Sequence, residues 1–130
     1  MRLITFAVAM LLSFNAFSQK NYEYRWKKIS DEWNYDIYID ANSIQQSGSS
    51  YSYITMVNYK LAEENIPGFP VSYIRRGISN CAYQTVKNNG GLGYTKHYAQ
   101  GPAMQAYGTA SINISEADAP ILVVYRYFCK

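Results

Sequence analysis

Residue types that often carry out chemistry are sparse in this chain, which has one histidine, His97, and two cysteines, Cys81 and Cys129. A zinc site built from nitrogen and sulfur ligands needs three or four such side chains, so one chain cannot assemble it. His97 follows Lys96 between two tyrosines, and we expect a surface histidine on a strand rather than a general base. A catalytic cysteine would have His97 as its sole candidate base. We therefore expect no catalytic residue, no bound metal and no cofactor.

The carboxylates are not spaced for catalysis. Asp36 and Asp40 are four positions apart in a predicted strand, which separates them by about 13 Å, whereas glycosidases use carboxyl pairs roughly 5 to 9.5 Å apart. We expect both to be solvated charges on one face of the strand. Asp31-Glu32 and Glu63-Glu64 are interpreted as ordinary surface residues.

A glycine-rich run, Gly90-Gly91-x-Gly93, resembles part of a phosphate-binding loop but lacks the lysine and the following helix. Asn88-Asn89-Gly90-Gly91 instead predicts a tight turn, which would join a long strand over residues 71–86 to another over residues 92–99. The glycosylation sequon Asn113-Ile114-Ser115 matters only in a eukaryotic source, so it is set aside.

Basic doublets at Lys27-Lys28 and Arg75-Arg76 are candidates for a binding surface. Together with Lys20, Arg25 and Lys60 they would form a positive face, unless the alternation of strand side chains splits each doublet between two faces. The net charge of +3 is too small to predict nucleic-acid binding. Tyrosine, at 14 of 130 residues, is typical both of protein interfaces and of half-buried sheet positions.

Apolar and polar residues alternate every two positions through much of the chain, which predicts strands. Four segments show the pattern: 24–30, 35–40, 51–59 and 107–114. The segment from Asp118 to Lys130 fits two structures. Its β-branched and aromatic residues favour a strand, whereas Asp118 as N-cap and Pro120 in the first turn are a legitimate helix start.

The first 18 residues have the form of a secretory signal peptide. Arg2 is followed by an apolar run from Leu3 to Leu12, and the small residues Ala16 and Ser18 suit a cleavage site. A membrane-spanning helix needs about 20 apolar residues, and no cysteine follows the run to carry a lipid. We expect one domain over residues 19–130, which is periplasmic, cell-surface or secreted, without a lipid anchor.

Export to an oxidising compartment makes a Cys81–Cys129 disulfide the natural interpretation of the two cysteines. The alternative is a pair of buried thiols that behave as small apolar side chains.

Several short motifs of the chain, taken in sequence order, resemble those of the surface-adhesin protein E family of Gram-negative bacteria. The similarity lies in Trp26-x-x-Ile29, Tyr38-x-Asp40-x-x-Ser43-Ile44, Tyr98-Ala99-Gln100-Gly101-Pro102 and the two cysteines. The resemblance implies an α+β fold, with a small, mainly antiparallel sheet of about six strands and a C-terminal helix fastened by one disulfide. Two departures are Ile112-Asn113-Ile114, where the family often has a tryptophan, and residues 103–106, where it is rich in glycine.

The resemblance also implies a function, because the founding member of the family is an adhesin for host matrix and plasma proteins. We therefore expect an exported, non-enzymatic binding protein with a protein partner, no nucleic acid and no stable membrane span, and homodimer formation stays open. The alternative is a periplasmic inhibitor, an immunity-like protein or a structural protein of the envelope. The sequence does not identify the ligand or the residues that contact it.

Overall fold

One antiparallel sheet organises the chain in the computed structural model, which describes residues 22–130; the predicted signal peptide lies outside these residues. The sheet order is β1-β2-β4-β5-β6-β7, and β3 pairs with β4 beyond the end of β2. The strands are β1 (Trp26–Asp31), β2 (Asp36–Asp40), β3 (Gln45–Ser47), β4 (Ser50–Asn58), β5 (Ser72–Asn80), β6 (Thr85–Tyr94) and β7 (Gln105–Asn113). The described residues thus form seven strands, one more than the expected number.

The segment from Asp118 to Lys130, for which the sequence allowed a strand or a helix, contains a helix, α1 (Ala119–Phe128). Asp118 caps it by accepting a hydrogen bond from the amide of Ile121 at 3.1 Å, and Pro120 occupies the first turn, where no backbone donor is needed. The helix packs Val124 against Ile37, Ile39, Tyr53 and Val57 of the sheet, and Tyr125 is also buried. Its last residue, Phe128, stacks on the rings of Tyr51 and Tyr53 with centroids 5.0 and 4.8 Å apart.

The core lies between α1 and one side of the sheet, which we call the core face; the opposite side is the open face. Ile37 and Ile39 of β2 point to the core face and are 0% and 1% exposed. Ile37 pairs with Val57 of β4, and Val57 is also buried on the core face. The apolar residues that recur at every second position of the sequence are therefore the ones that face the core.

The disulfide is formed as expected. Cys81 follows β5 directly and Cys129 follows α1, and their Cα atoms are 5.3 Å apart. The bond therefore fastens the end of the helix to the turn between β5 and β6.

The predicted turn at residues 88–91 is wrong, because β6 runs unbroken from Thr85 to Tyr94 and the chain reverses instead at residues 81–84. Gly90 instead forms part of a β-bulge within β6. Arg75 pairs with Gly91 and Gly77 with Asn88, so Asn89 and Gly90 together oppose one residue of β5, and Gly90 takes a φ of +98°. A Cβ on Gly91 would lie 2.7 Å from the carbonyl oxygen of Ile74, so close approach of two backbones also requires glycine there. The predicted strands over 71–86 and 92–99 are correspondingly shortened to β5 and the end of β6.

Candidate functional site

A buried carboxylate on the open face holds the N-terminal segment of the described chain. Asp40 is 0% exposed, and its Oδ1 accepts hydrogen bonds from the amides of Arg25 at 2.8 Å and Asn42 at 3.1 Å. Its Oδ2 accepts a hydrogen bond from the hydroxyl of Tyr22. These three donors replace water around the charge, so the expectation of a solvated Asp40 is wrong.

Asp36, at the other end of β2, is also buried, at 2% exposure, which again contradicts the expected solvated position. Its Oδ1 lies 3.3 Å from Nζ of Lys60 and 3.7 Å from Nζ of Lys28, so it is neutralised by ion pairs rather than by a well-directed hydrogen bond. Lys60 also donates a hydrogen bond to Asp31 at 2.8 Å, and this bond is the main cause that lowers the pKa of Asp31 and raises the pKa of Lys60. Asp36 and Asp40 are therefore separate structural anchors and not an acid–base pair.

Near Asp40, three aromatic rings are in contact one after another along the edge of the open face. The centroids of Tyr22 and Tyr24 are 5.2 Å apart in an edge-on arrangement, and Tyr24 stacks on Trp26 at 4.9 Å. Tyr22 and Tyr24 remain 49% and 47% exposed. The rings are thus both fixed in position and accessible to another molecule.

Two cavities of about 280 and 290 Å³ lie beside this stack, and both are lined by Ile54, Arg76 and Asn89. We call these two adjacent cavities together the open-face groove. Tyr22 lines the first cavity and Tyr24 the second. The other side chains of the groove are polar toward β3 and apolar toward β6, and they include Asn42, Ser43, Gln45, Ser52, Ile74 and Leu92.

The basic doublets do not combine into one positive face. Lys27 donates to the hydroxyl of Tyr127 on the helix, whereas Lys28 lies on the other side, over the ring of Tyr38. Arg75 lies over the ring of Tyr73, 5.0 Å from its centroid, and lines the cavity under α1, whereas Arg76 lines the open-face groove. The alternation of strand residues therefore separates each doublet.

His97 is not on a strand as expected but begins a 3₁₀ turn, His97–Ala99, that packs over the ends of β4 and β5 on the open face. Its ring Nδ1 lies 3.2 Å from Oδ1 of the buried Asn58, and its amide donates to Oε2 of Glu64 at 2.8 Å. The turn leaves the ring of Tyr98 47% exposed. His97 therefore helps to hold a loop in place, and Tyr98 adds a third exposed aromatic ring to the open face.

No cluster of three or more His, Cys, Asp or Glu side chains that could hold a metal ion occurs within residues 22–130. In the same part of the chain, α1 is too short to cross a bilayer, and no other helix has the required length and apolar character. The arrangement that the open face does offer is a set of fixed aromatic rings beside a groove that contains one guanidinium group. Such a surface can bind another molecule without transforming it.

Comparison with known families agrees with the sequence resemblance. The family model for surface-adhesin protein E matches residues 26–129, which span nearly all of the described chain. The chain belongs to this family. No curated protein matches it.

Solved structures of Haemophilus influenzae protein E share the fold. Crystal form II covers 84% of this chain and 90% of that one, with 18% sequence identity and a TM-score of 0.56. The selenomethionine form gives a TM-score of 0.54 at 18% identity, with 84% of this chain and 88% of that one covered. A third protein E structure gives 0.53 at 19% identity, covering 84% and 86%. At this level of identity, the similarity establishes the adhesin E architecture of sheet and C-terminal helix.

Arg76, Asn89 and the tyrosines of residues 22–24 were not singled out as a group by the sequence. Arg76 and Asn89 meet because β5 and β6 are neighbours, and Tyr22 is brought beside them by its hydrogen bond to Asp40 of β2. Side-chain alternation along β5 places Arg76 and Arg75 on opposite faces of the sheet, as one of the two interpretations of the sequence had it. The face on which Asn89 lies depends on the bulge in β6, which the sequence did not predict.

Proposed function

We propose that this adhesin E family member is an exported binding protein that attaches to an extracellular protein through the open face, without catalysis. The main observation in support of this proposal is that Tyr22, Tyr24 and Tyr98 all lie on this face and are each about half exposed. Leu92, which is 41% exposed, lies beside Tyr24 in the groove. Large, rigid aromatic side chains supply contact area at a low cost in conformational entropy.

The aromatic rings of the open face are preorganised in the protein without a bound partner. The Tyr22 hydrogen bond to Asp40 fixes one ring, and the Tyr24–Trp26 stack fixes another. Tyr98 lies edge-on to Tyr38 with centroids 6.3 Å apart. Because these contacts already restrict the side chains, less ordering is required when the partner binds.

The core face is less suited to this role because α1 occupies its centre and buries Val124 and Tyr125. In the proposal, residues 1–18 direct export, residues 19–130 form the binding domain, and the partner is a host matrix or plasma protein. The association of two copies of the domain into a homodimer stays open.

The experiment measures binding of the domain over residues 19–130 to immobilised laminin and vitronectin, two host proteins of the classes that the family resemblance suggests. We expect saturable binding that the double variant Tyr24→Ala/Tyr98→Ala weakens about tenfold or more, which corresponds to about 1.4 kcal/mol. Tyr83→Ala is the matched control, because Tyr83 is 78% exposed but lies in the turn after β5. Its binding should equal that of the unaltered protein.

Binding no stronger than that of an unrelated protein of similar charge would contradict the proposal. Equal losses in the double variant and in Tyr83→Ala would contradict the choice of surface. Labelling of intact cells tests the location. Protein that is released entirely by osmotic shock, and never labelled from outside, would overturn the adhesin role in favour of an inhibitor or structural role in the envelope.

A further inference from the structure

Arg76 is an exposed residue that lines both cavities of the open-face groove and forms no ion pair with the described residues. The ion pairs found among residues 22–130 join Lys28 and Lys60 to Asp31 and Asp36, and none includes Arg76. Among the described side chains that line the two cavities there is no Asp or Glu. The buried Asp40 forms no ion pair with Arg76, and its two oxygens accept hydrogen bonds from the neutral donors of Tyr22, Arg25 and Asn42. An anionic group that enters the groove would therefore meet a guanidinium that no described carboxylate already pairs with.

The rest of the groove resembles a sugar-binding surface in its chemistry. Tyr22 and Tyr24 present partly exposed rings to its two cavities. Gln45, Ser52 and Asn89 add amide and hydroxyl groups, which can donate and accept hydrogen bonds. Aromatic rings suit the apolar C–H surfaces of a sugar ring, while amides and hydroxyls suit its hydroxyl groups. Each cavity is close to the lower end of the volume range of small-molecule sites, and Ile54, Arg76 and Asn89 line both.

We propose that the open-face groove binds a carboxylated sugar, a uronic or sialic acid, within a glycan of the partner. The sugar carboxylate pairs with the guanidinium of Arg76, whose planar array of donors matches a carboxylate with two parallel hydrogen bonds. Tyr22 and Tyr24 contact the sugar rings, and Asn89 binds a hydroxyl group near the carboxylate. The inference rests on the proposed adhesive function and assigns the chemical class of the group that this face contacts.

The test titrates the domain over residues 19–130 with three probes: a hyaluronan tetrasaccharide, which carries glucuronic acid; 3′-sialyllactose; and neutral lactose. Amide chemical-shift changes measure affinity and also verify that each variant is folded. We expect at least one acidic probe to bind, with shifts concentrated at Arg76, Asn89 and the tyrosines, and lactose to bind at least about tenfold more weakly. Arg76→Gln should weaken the acidic probe by about tenfold or more.

Arg75→Gln is the matched control because the neighbouring arginine lies on the core face over Tyr73. It loses the same charge from the protein but should change the affinity less than about twofold. Equal losses in the two variants would show that the effect is one of net charge and would overturn the site. Failure of both acidic probes, or equal binding of lactose, would also overturn it.

The outcomes separate this inference from the proposed function. If laminin or vitronectin binds and Arg76→Gln has no effect, the adhesive function stands and the sugar site is wrong. If an acidic probe binds in an Arg76-dependent manner while neither protein binds, the sugar site stands and the proposed protein partner class is wrong.

Discussion

The hydroxyl of Tyr22 donates a hydrogen bond to Oδ2 of Asp40, so a half-exposed ring is fixed by a fully buried carboxylate 18 residues away. Burial, followed by the hydrogen bond and charge of Asp40, raises the pKa of Tyr22 to about 12. A raised pKa means that the folded state favours the protonated form. The contribution to stability is therefore complete below pH 10, the ordinary value, and is lost as the pH rises through about 12.

Tyr22→Phe should remove this contribution. We expect a loss of about 1 kcal/mol in the free energy of unfolding at neutral pH, because Asp40 stays buried with one donor fewer. An alkaline titration followed by tyrosinate absorbance should lose the component near pH 12. Tyr83→Phe, in the exposed turn after β5, is the control and should retain it. Retention of that component in Tyr22→Phe would contradict the assignment.

Gly77 allows Tyr53 to pack in the core. A Cβ at position 77 would lie 2.7 Å from Cε1 of Tyr53, whose ring is buried and stacked on Phe128, so it has little room to move. We expect Gly77→Ala to lower the free energy of unfolding by about 1–3 kcal/mol in chemical denaturation. Gly108→Ala in β7, which has no atom within 4 Å of the added methyl, should be close to neutral. Similar losses at both positions would show that backbone freedom, and not the Tyr53 contact, is the cause.

The disulfide should supply a large part of the stability of this small domain. Cys81 and Cys129 are 48 residues apart, and the chain-entropy model gives about 4 kcal/mol for a loop of that length. The double variant Cys81→Ser/Cys129→Ser should lose about that amount of unfolding free energy, measured against the oxidised protein in the same denaturant. Adding a reductant should destabilise the unaltered protein to a similar extent and leave the double variant unchanged. A loss below about 1 kcal/mol would indicate that α1 docks without the covalent link.

Stability at acidic pH should depend on Lys60. Its hydrogen bond lowers the pKa of Asp31 from the ordinary 3.8, so the ion pair stabilises the fold above that value and is lost as the pH falls through the lowered pKa. Lys60→Met should raise the pKa of Asp31 toward 3.8 and shift acid unfolding to higher pH, because Asp36 then retains Lys28 alone. Carboxyl NMR titration and acid denaturation measure the two effects. Lys87→Met, at an exposed position of β6, should cause neither change, and an unshifted Asp31 in Lys60→Met would refute the coupling.

The parts of the fold that the sequence predicted are those set by neighbours along the chain. Alternation located β2 and β4, and the Asp118 cap with Pro120 was sufficient for a helix start, although the β-branched residues of α1 argued equally for a strand until the family resemblance favoured a helix. The burial of Asp36 and Asp40 was missed because their partners, Lys60 and Tyr22, come from distant segments. The same reason explains why the groove was missed, since four strands and the segment before β1 contribute to it.

The Cys81–Cys129 bond also defines a path for mechanical force. A pull applied at Lys130 reaches Cys129 and passes through the sulfur atoms to Cys81, at the end of the central strand β5, so the load bypasses α1. The helix cannot be peeled away turn by turn from that end. The load then reaches β5, which is hydrogen-bonded to β4 on one side and to β6 on the other.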